Sequence, residues 1–197
     1  MLIVFLVIVL DLIGFGIMVP IMAYYVVQLG GGPELATFCM ALYAIGMFIA
    51  TPILGRLSDF YGRRPILILS MVGAIIGYLM LGFAQSLWMV ALSRLLAGLM
   101  AGNISAAQAY ITDITSEENR AKGMGMIGAA FGLGFTFGPA IGGFMVQSSM
   151  GMPGFFAAGL SIIAAICGLL LLHEPERHRA DASRVFGFDT VGQAMRQ

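Results

Sequence analysis

Charged side chains are scarce in this sequence. Ten Lys or Arg and ten Asp or Glu residues make up 10% of 197 positions, whereas a soluble domain carries roughly 25%. Hydrophobic residues supply 59% of the chain, and the mean hydropathy is +0.95. This balance is typical of an integral membrane protein, so the lipid bilayer is the first expected partner. We expect no nucleic-acid partner.

Cysteine and histidine are also rare, with two residues of each. Cys39 and Cys167 lie in apolar runs without a CxxC spacing or a nearby histidine, which argues against a disulfide framework or a metal site. His173 and His178 lie among charges in "HEPERHRAD", a pattern typical of a solvated linker. The sequence has no phosphate-binding glycine-rich loop followed by Lys and Ser or Thr, so ATP has no support as an energy source. We therefore expect a protein that is not an enzyme and that has no cofactor.

Six apolar runs are long enough to cross a hydrocarbon core of about 30 Å, which takes about 20 helical residues. Membrane β-strands are about ten residues long and alternate in polarity, so these runs predict an all-α bundle of six transmembrane helices over residues 1–172. Residues 173–197 are expected to begin a cytoplasmic linker, with an amphipathic surface helix around 184–197. The runs cover approximately residues 2–26, 36–54, 66–84, 87–112, 123–146 and 154–172.

Basic residues fall on one side of the predicted membrane. Nine of the ten lie between spans two and three, between spans four and five, or after span six, and the loops at 27–35, 84–86 and 147–153 contain none. By the positive-inside rule, both termini are expected to be cytoplasmic. The tenth basic residue, Arg94, falls inside span four.

Two ionisable residues are predicted within the membrane. Asp11 lies near the middle of span one, and Arg94 lies about two turns into span four. Such groups cost about 2.5–3.5 kcal/mol to insert, so they indicate a binding pathway or a proton relay by default. The alternative is a buried ion pair that only holds the bundle together.

Span four has a stripe of small and polar residues. At helical spacing after Arg94 come Gly98, Ala101, Ser105, Gln108 and Thr112, a face suited to lining an aqueous cavity. Asn103 is predicted nearly opposite, where it bonds a neighbouring helix. The alternative for the stripe is a helix-packing seam.

Span five is rich in glycine. Gly134, Gly138 and Gly142 recur at four-residue spacing, which allows a partner backbone to approach closely. Pro139 can bend the helix between them. Composition alone makes this span a packing and hinge element.

Four motifs now resemble one family, the major facilitator superfamily. "GRLSDFYGRRPIL" resembles its loop motif between helices two and three, and "SRLLAGLMAGNISAAQAYITDIT" resembles its fourth-helix motif. "GLGFTFGPAIGG" is similar to the fifth-helix motif of the drug/proton antiporter branch, and "LDLIGFGIMVP" is similar to span one of its tetracycline-efflux-like subgroup. The matching positions are Asp11, Gly14, Pro20, Gly55, Asp59, Gly62, Arg63, Arg64, Arg94, Gly134, Gly138, Pro139, Gly142 and Gly143.

The resemblance implies a charge network at the cytoplasmic side. Asp113, at the end of span four, is the implied partner of Arg63, and Asp59 is implied to reach the opposite half of the transporter. Such pairs are individually weak and act by biasing a rocking equilibrium between two states. The alternative is a topogenic anchor that only fixes the side of the membrane.

The family fold has twelve helices in two halves, and this sequence accounts for the first six. We expect either a piece of a longer transporter or a half-sized one that pairs with a second copy. The stop at Gln197, inside what resembles the central linker, favours a piece.

The resemblance implies an alternating-access antiporter of a bacterial inner membrane, driven by the proton gradient. It would expel an amphipathic or cationic organic compound, such as a tetracycline-like drug, and admit a proton. Asp11 is the expected proton carrier, with Arg94, Ser105 and Gln108 beside it at the substrate cavity. The alternatives are export of a sugar or small metabolite, and a truncated chain that transports nothing.

Overall fold

The computed structural model describes residues 2–174. Within that range the chain forms seven α-helices and no β-strand. The amphipathic helix expected around 184–197 lies outside the described residues, as does the expected linker beyond Glu174. The helices are α1 (Leu2–Gln28), α2 (Pro33–Tyr61), α3 (Arg63–Gly82), α4 (Leu87–Leu99), α5 (Asn103–Ile114), α6 (Glu117–Met145) and α7 (Met152–Leu171).

These seven helices make six membrane spans, because α4 and α5 follow one another within a single span, Leu87–Ile114. The shortest spans have 20 residues, which at 1.5 Å per residue reach about 30 Å. The predicted all-α architecture with six spans is confirmed.

The polar segment at residues 55–65 is mostly helical, which corrects the expectation of a loop there. α2 continues to Tyr61, α3 begins at Arg63, and Gly62 alone separates them. Gly62 has a φ of +124°, a conformation that residues with a Cβ rarely adopt. Gly55 lies inside α2 with open space around its Cα. One glycine therefore provides the whole change of direction.

Span four is interrupted, which corrects the expectation of one continuous helix over residues 87–112. α4 ends at Leu99 and α5 begins at Asn103. Between them the backbone N–H of Ala101 donates to the carbonyl of Gly98 at 3.0 Å, a bond to the third residue back that tightens the turn. The stripe of small and polar residues predicted along span four is therefore divided between two helices.

The glycine spacing in span five predicted a close helix contact, and the structure confirms one between α1 and α6. A Cβ on Gly138 would lie 2.5 Å from the carbonyl carbon of Gly16, and one on Gly134 would lie 2.7 Å from that of Leu12. No real side chain fits at such distances. The two backbones therefore lie directly against each other.

The rest of the fifth-helix motif is spread around α6. Gly142 faces Ile17 of α1, whereas Gly143 faces open space. α6 remains one helix through Pro139, from Glu117 to Met145.

One end of the bundle gathers polar contacts between segments distant in sequence. Gly62, the end of α5 and residues 172–174 meet there, through bonds from Arg63 to Asp113 and from Tyr110 to His173. We call this the polar end. The turns after α1, α3 and α6 lie at the other end, where Gly151 contacts Gly82.

Candidate functional site

A cavity of about 180 Å³ lies inside the bundle, beside the middle of α1. Five of the six spans line it, mostly with aromatic, thioether and aliphatic side chains. Such a wall with few polar groups suits an amphipathic ligand. The lining residues are Asp11, Leu12, Phe15, Tyr43, Met47, Ala74, Tyr78, Ala97, Met100, Ala101, Asn103, Ile104 and Phe131.

Among the described residues that line the cavity, Asp11 is the only acidic one. Its side chain is 7% exposed, and its Oδ2 accepts a hydrogen bond from Nδ2 of Asn103. Among the described residues no basic side chain lies within 4.0 Å of this carboxyl. The structure thus surrounds Asp11 with neutral groups.

Asn103 was predicted to bond a neighbouring helix, and its bond to α1 confirms this. Its predicted place, away from the cavity face, is wrong, because it lines the cavity. Asn103 lies directly after the interruption at residues 100–102, as the first residue of α5. Periodicity alone could not reveal this, since the count assumed an unbroken helix.

Arg94 is 2% exposed and does not pair with Asp11 in the described residues. Its Nε lies 3.5 Å from Oγ of Ser93, and its guanidinium carbon lies 5.8 Å from the centroid of the Tyr78 ring. One guanidinium nitrogen has no hydrogen-bond partner within residues 2–174. A cation beside one aromatic ring and with few hydrogen bonds is expensive to bury, so Arg94 is not explained by a simple ion pair.

Ser105 and Gln108 lie along α5 and are not among the residues that line the cavity. The Ser105 hydroxyl donates to the carbonyl of Gly102 at 2.9 Å, and Gln108 is exposed. They lie on α5, whereas Arg94 lies on α4 before the interruption. The predicted stripe had placed all three on one continuous helix face. Their role in coupling or binding stays a prediction.

At the polar end, Arg63 joins α2 to α5. Its guanidinium lies 2.5 Å from Oδ1 of Asp59 and 3.0 Å from Oδ2 of Asp113, and it donates to Oγ of Ser58 at 2.7 Å. The Arg63 side chain is 16% exposed, against 55% for Asp59 and 36% for Asp113. This is the contact that the resemblance implied, and its use as a switch stays a prediction.

Glu174 is a polar-end residue that sequence reasoning missed. Its carboxylate accepts bonds from the backbone N–H groups of Arg63 at 2.6 Å and Arg64 at 3.0 Å. These are unpaired groups at the start of α3, where a negative charge is favourable. Arg64 also donates to the carbonyl of Leu169, and Tyr110 donates to that of His173 at 2.6 Å. An acid just after span six was the only sequence signal.

Comparisons with known proteins agree on one family. A family model described as Major Facilitator Superfamily matches residues 4–192. The chain is 36% identical to tetracycline resistance protein, class B, of Escherichia coli, over 94% of this chain and 47% of that protein. It is 33% identical to multidrug resistance protein 1 of Bacillus subtilis, over 84% of this chain and 43% of that protein.

A solved structure gives the same result. The human organic anion transporter MFSD10 (TETRAN) matches with a TM-score of 0.74 and 25% identity, over 89% of this chain and 47% of its own. The chain therefore spans about half the length of these relatives.

Proposed function

Because the chain belongs to the major facilitator superfamily, we propose that it takes part in proton-coupled export of amphipathic or cationic organic compounds. The observation that carries this proposal is Asp11, a carboxylate buried in the membrane at a cavity with aromatic and thioether walls. Relatives named for tetracycline and multidrug resistance support the class of cargo.

In this mechanism Asp11 is the proton carrier. It takes up a proton from the outer side of the membrane and releases it to the cytoplasm as the cavity changes sides, while drug moves the other way. Arg94 lies about two turns into span four, and it responds electrostatically to the change of charge at Asp11. Ser105 and Gln108 lie outside the described cavity, and we propose that they contact the substrate on its path along the same span.

The polar end acts as the conformational switch of this proposal. Arg63, held by Asp59 and Asp113, keeps the ends of α2 and α5 together in one state of the cycle and releases them in the other. Gly55, Gly62 and Arg64 belong to the same device. Since each pair is partly exposed and weak on its own, the network biases an equilibrium and does not lock it.

The proposal also assigns the sides of the membrane. The described basic residues other than Arg94 lie on α2, α3 and α6, close to the polar end, which we place in the cytoplasm of a bacterial inner membrane. Six helices supply one wall of a central cavity. The second wall comes from another six-helix half or from a second copy of the chain, against exposed apolar side chains such as Phe48 and Phe144.

A sugar or small-metabolite exporter of the same family is the second candidate. Sugar recognition calls for several convergent polar groups, whereas the cavity offers Asp11, Asn103 and two tyrosines. The composition of the wall therefore favours the drug exporter over this candidate, and over a chain that transports nothing.

The test measures proton movement in inverted membrane vesicles with an acidic interior, using the transporter as its host makes it. Tetracycline or a quaternary ammonium compound should release protons from the wild type, and Asp11→Asn should abolish the release. Glu118→Gln makes the same chemical change at an exposed residue of α6 and should leave it unchanged. Full release from Asp11→Asn would remove Asp11 from the mechanism, and sugar-driven release alone would support the second candidate.

A further inference from the structure

Asn103 contacts the proposed proton carrier directly, yet the function above gives it no role. Its Nδ2 donates to Oδ2 of Asp11, and its own Oδ1 accepts from the backbone N–H of Ile104 at 2.9 Å. The second bond fixes the orientation of the amide, so its N–H side faces the carboxylate. Asn103 is also the first residue of α5, directly after the interruption in span four.

The other helices around Asp11 offer it no cation. α2 contributes Tyr43 to the shared cavity, α3 contributes Tyr78 and α6 contributes a phenylalanine. Arg94 of α4 lies over the ring of Tyr78, and it makes no ion pair with Asp11 within residues 2–174. The side-chain donor that the described residues provide to this carboxyl is therefore the neutral amide of Asn103.

A neutral donor and a cation have different consequences for proton exchange. A cation at this distance would hold the carboxyl in its charged form through Coulomb attraction in a medium of low dielectric constant. An amide N–H donates strongly to a carboxylate and about half as strongly to a neutral carboxyl. The strength of the Asn103–Asp11 hydrogen bond therefore depends on whether Asp11 is protonated, and the bond does not prevent protonation.

We propose that Asn103 is a positioning residue for proton exchange at Asp11, an inference that rests on the proposed function. The Asn103 amide holds the Asp11 carboxylate at the cavity wall. This hydrogen bond weakens when the carboxyl takes up a proton from water. Because Asn103 begins α5, this change acts at the interruption of span four, where residues 100–102 separate the described helices α4 and α5.

Infrared difference spectroscopy of the lipid-reconstituted transporter, titrated from neutral to acidic pH, tests the bond itself. The C=O stretch of protonated Asp11 is assigned by its loss in Asp11→Asn. In Asn103→Leu, which keeps the side-chain size and removes the donor, the band should move to higher wavenumber, because the carbonyl has lost a hydrogen bond. Asn103→Ala should give the same shift, so the test does not depend on the folding of one variant.

Thr51→Val is the matched control. It removes a membrane hydroxyl that donates to the Met47 carbonyl of its own helix at 2.7 Å, and it should leave the band in place. On the same samples, drug-driven proton release should fall at least about tenfold in Asn103→Leu, as expected for the loss of one hydrogen bond to a charged group.

Three outcomes overturn the proposal: an Asp11 band that stays in place in both Asn103 variants, one that moves equally in Thr51→Val, or no Asp11 band in the titration. A different result separates it from the proposed function. If the band moves as expected but the wild type shows no drug-driven proton release, the exporter is refuted and the positioning of Asp11 by Asn103 is supported.

Discussion

The carboxylate of Glu174 accepts a 2.6 Å hydrogen bond from the backbone N–H of Arg63, 111 residues earlier in the chain. This bond connects the start of α3 to the segment that directly follows span six. It lies beside Gly62, where a Cβ would meet the Glu174 carboxylate at 2.8 Å. The turn between α2 and α3 therefore depends on a residue that follows all six spans.

Glu174→Gln should destabilise the protein, because an amide carries no charge for the unpaired N–H groups at the helix start. We expect a loss of about 1 kcal/mol, the size of a typical N-cap contribution, measured by thermal unfolding in detergent. Glu118→Gln changes another acid at a helix start that has no such long-range bond, and its effect should be smaller. Equal losses in the two variants would contradict a specific role for Glu174.

Arg63→Ala should impair transport more than it impairs folding. The substitution removes the link between Asp59 and Asp113. A coupling of this kind typically changes the equilibrium constant between two states by about fivefold or more. Initial rates of drug release, with the amount of protein in the membrane, give the comparison. Arg63→Lys restores the charge without the fork that reaches two acids, and it should recover only part of the rate. Normal rates in Arg63→Ala would leave this segment a topogenic anchor.

Arg94→Met should leave the folded protein intact. Because no acidic partner is paired with Arg94 in the described residues, its removal exposes no orphan carboxylate, and replacing a buried charge with an apolar side chain is often neutral or stabilising. Transport should be lost if Arg94 answers the charge at Asp11. Protein in the membrane without transport would support that role, whereas loss of the protein itself would support a purely structural one.

Gly138→Ala should destabilise the bundle, since its Cβ would lie 2.5 Å from backbone of α1. Overpacking of this kind costs about 1–3 kcal/mol, measured as a fall in unfolding temperature. Gly128→Ala is the matched control, because a Cβ on Gly128 meets nothing within 4 Å. There the gain in helix propensity, about 1 kcal/mol, should leave stability equal or higher. A similar fall in both variants would mean that the contact between α1 and α6 is not what matters.

Most of the fold was predictable because a membrane imposes length and polarity on each span. Six apolar runs and the glycine spacing of span five are properties of local sequence, and the structure agrees with both. The charge pair of Arg63 and Asp113 came from resemblance to a family, since 50 residues separate the two and no local pattern connects them.

The missed features depend on tertiary contacts. The interruption of span four lies in an apolar stretch where Met100 fills the space beside Gly73 of α3, which no count along one helix can reveal. Asn103 follows this interruption and lines the cavity, whereas Ser105 of the same helix does not. Glu174 was missed because its partners are backbone groups, which leave no mark in the sequence.

The contact between α1 and α6 also determines where a compound dissolved in the lipid can enter. Where Gly16 faces Gly134 and Gly138, backbone lies against backbone with no side chain between them. Helices joined by large side chains can open a gap through a rotamer change, but at these glycines no side chain lies between the two backbones. Lateral entry at this glycine contact would require the two helices to separate. In the proposed exporter, a drug that partitions into the bilayer therefore reaches Asp11 by a path other than this glycine contact.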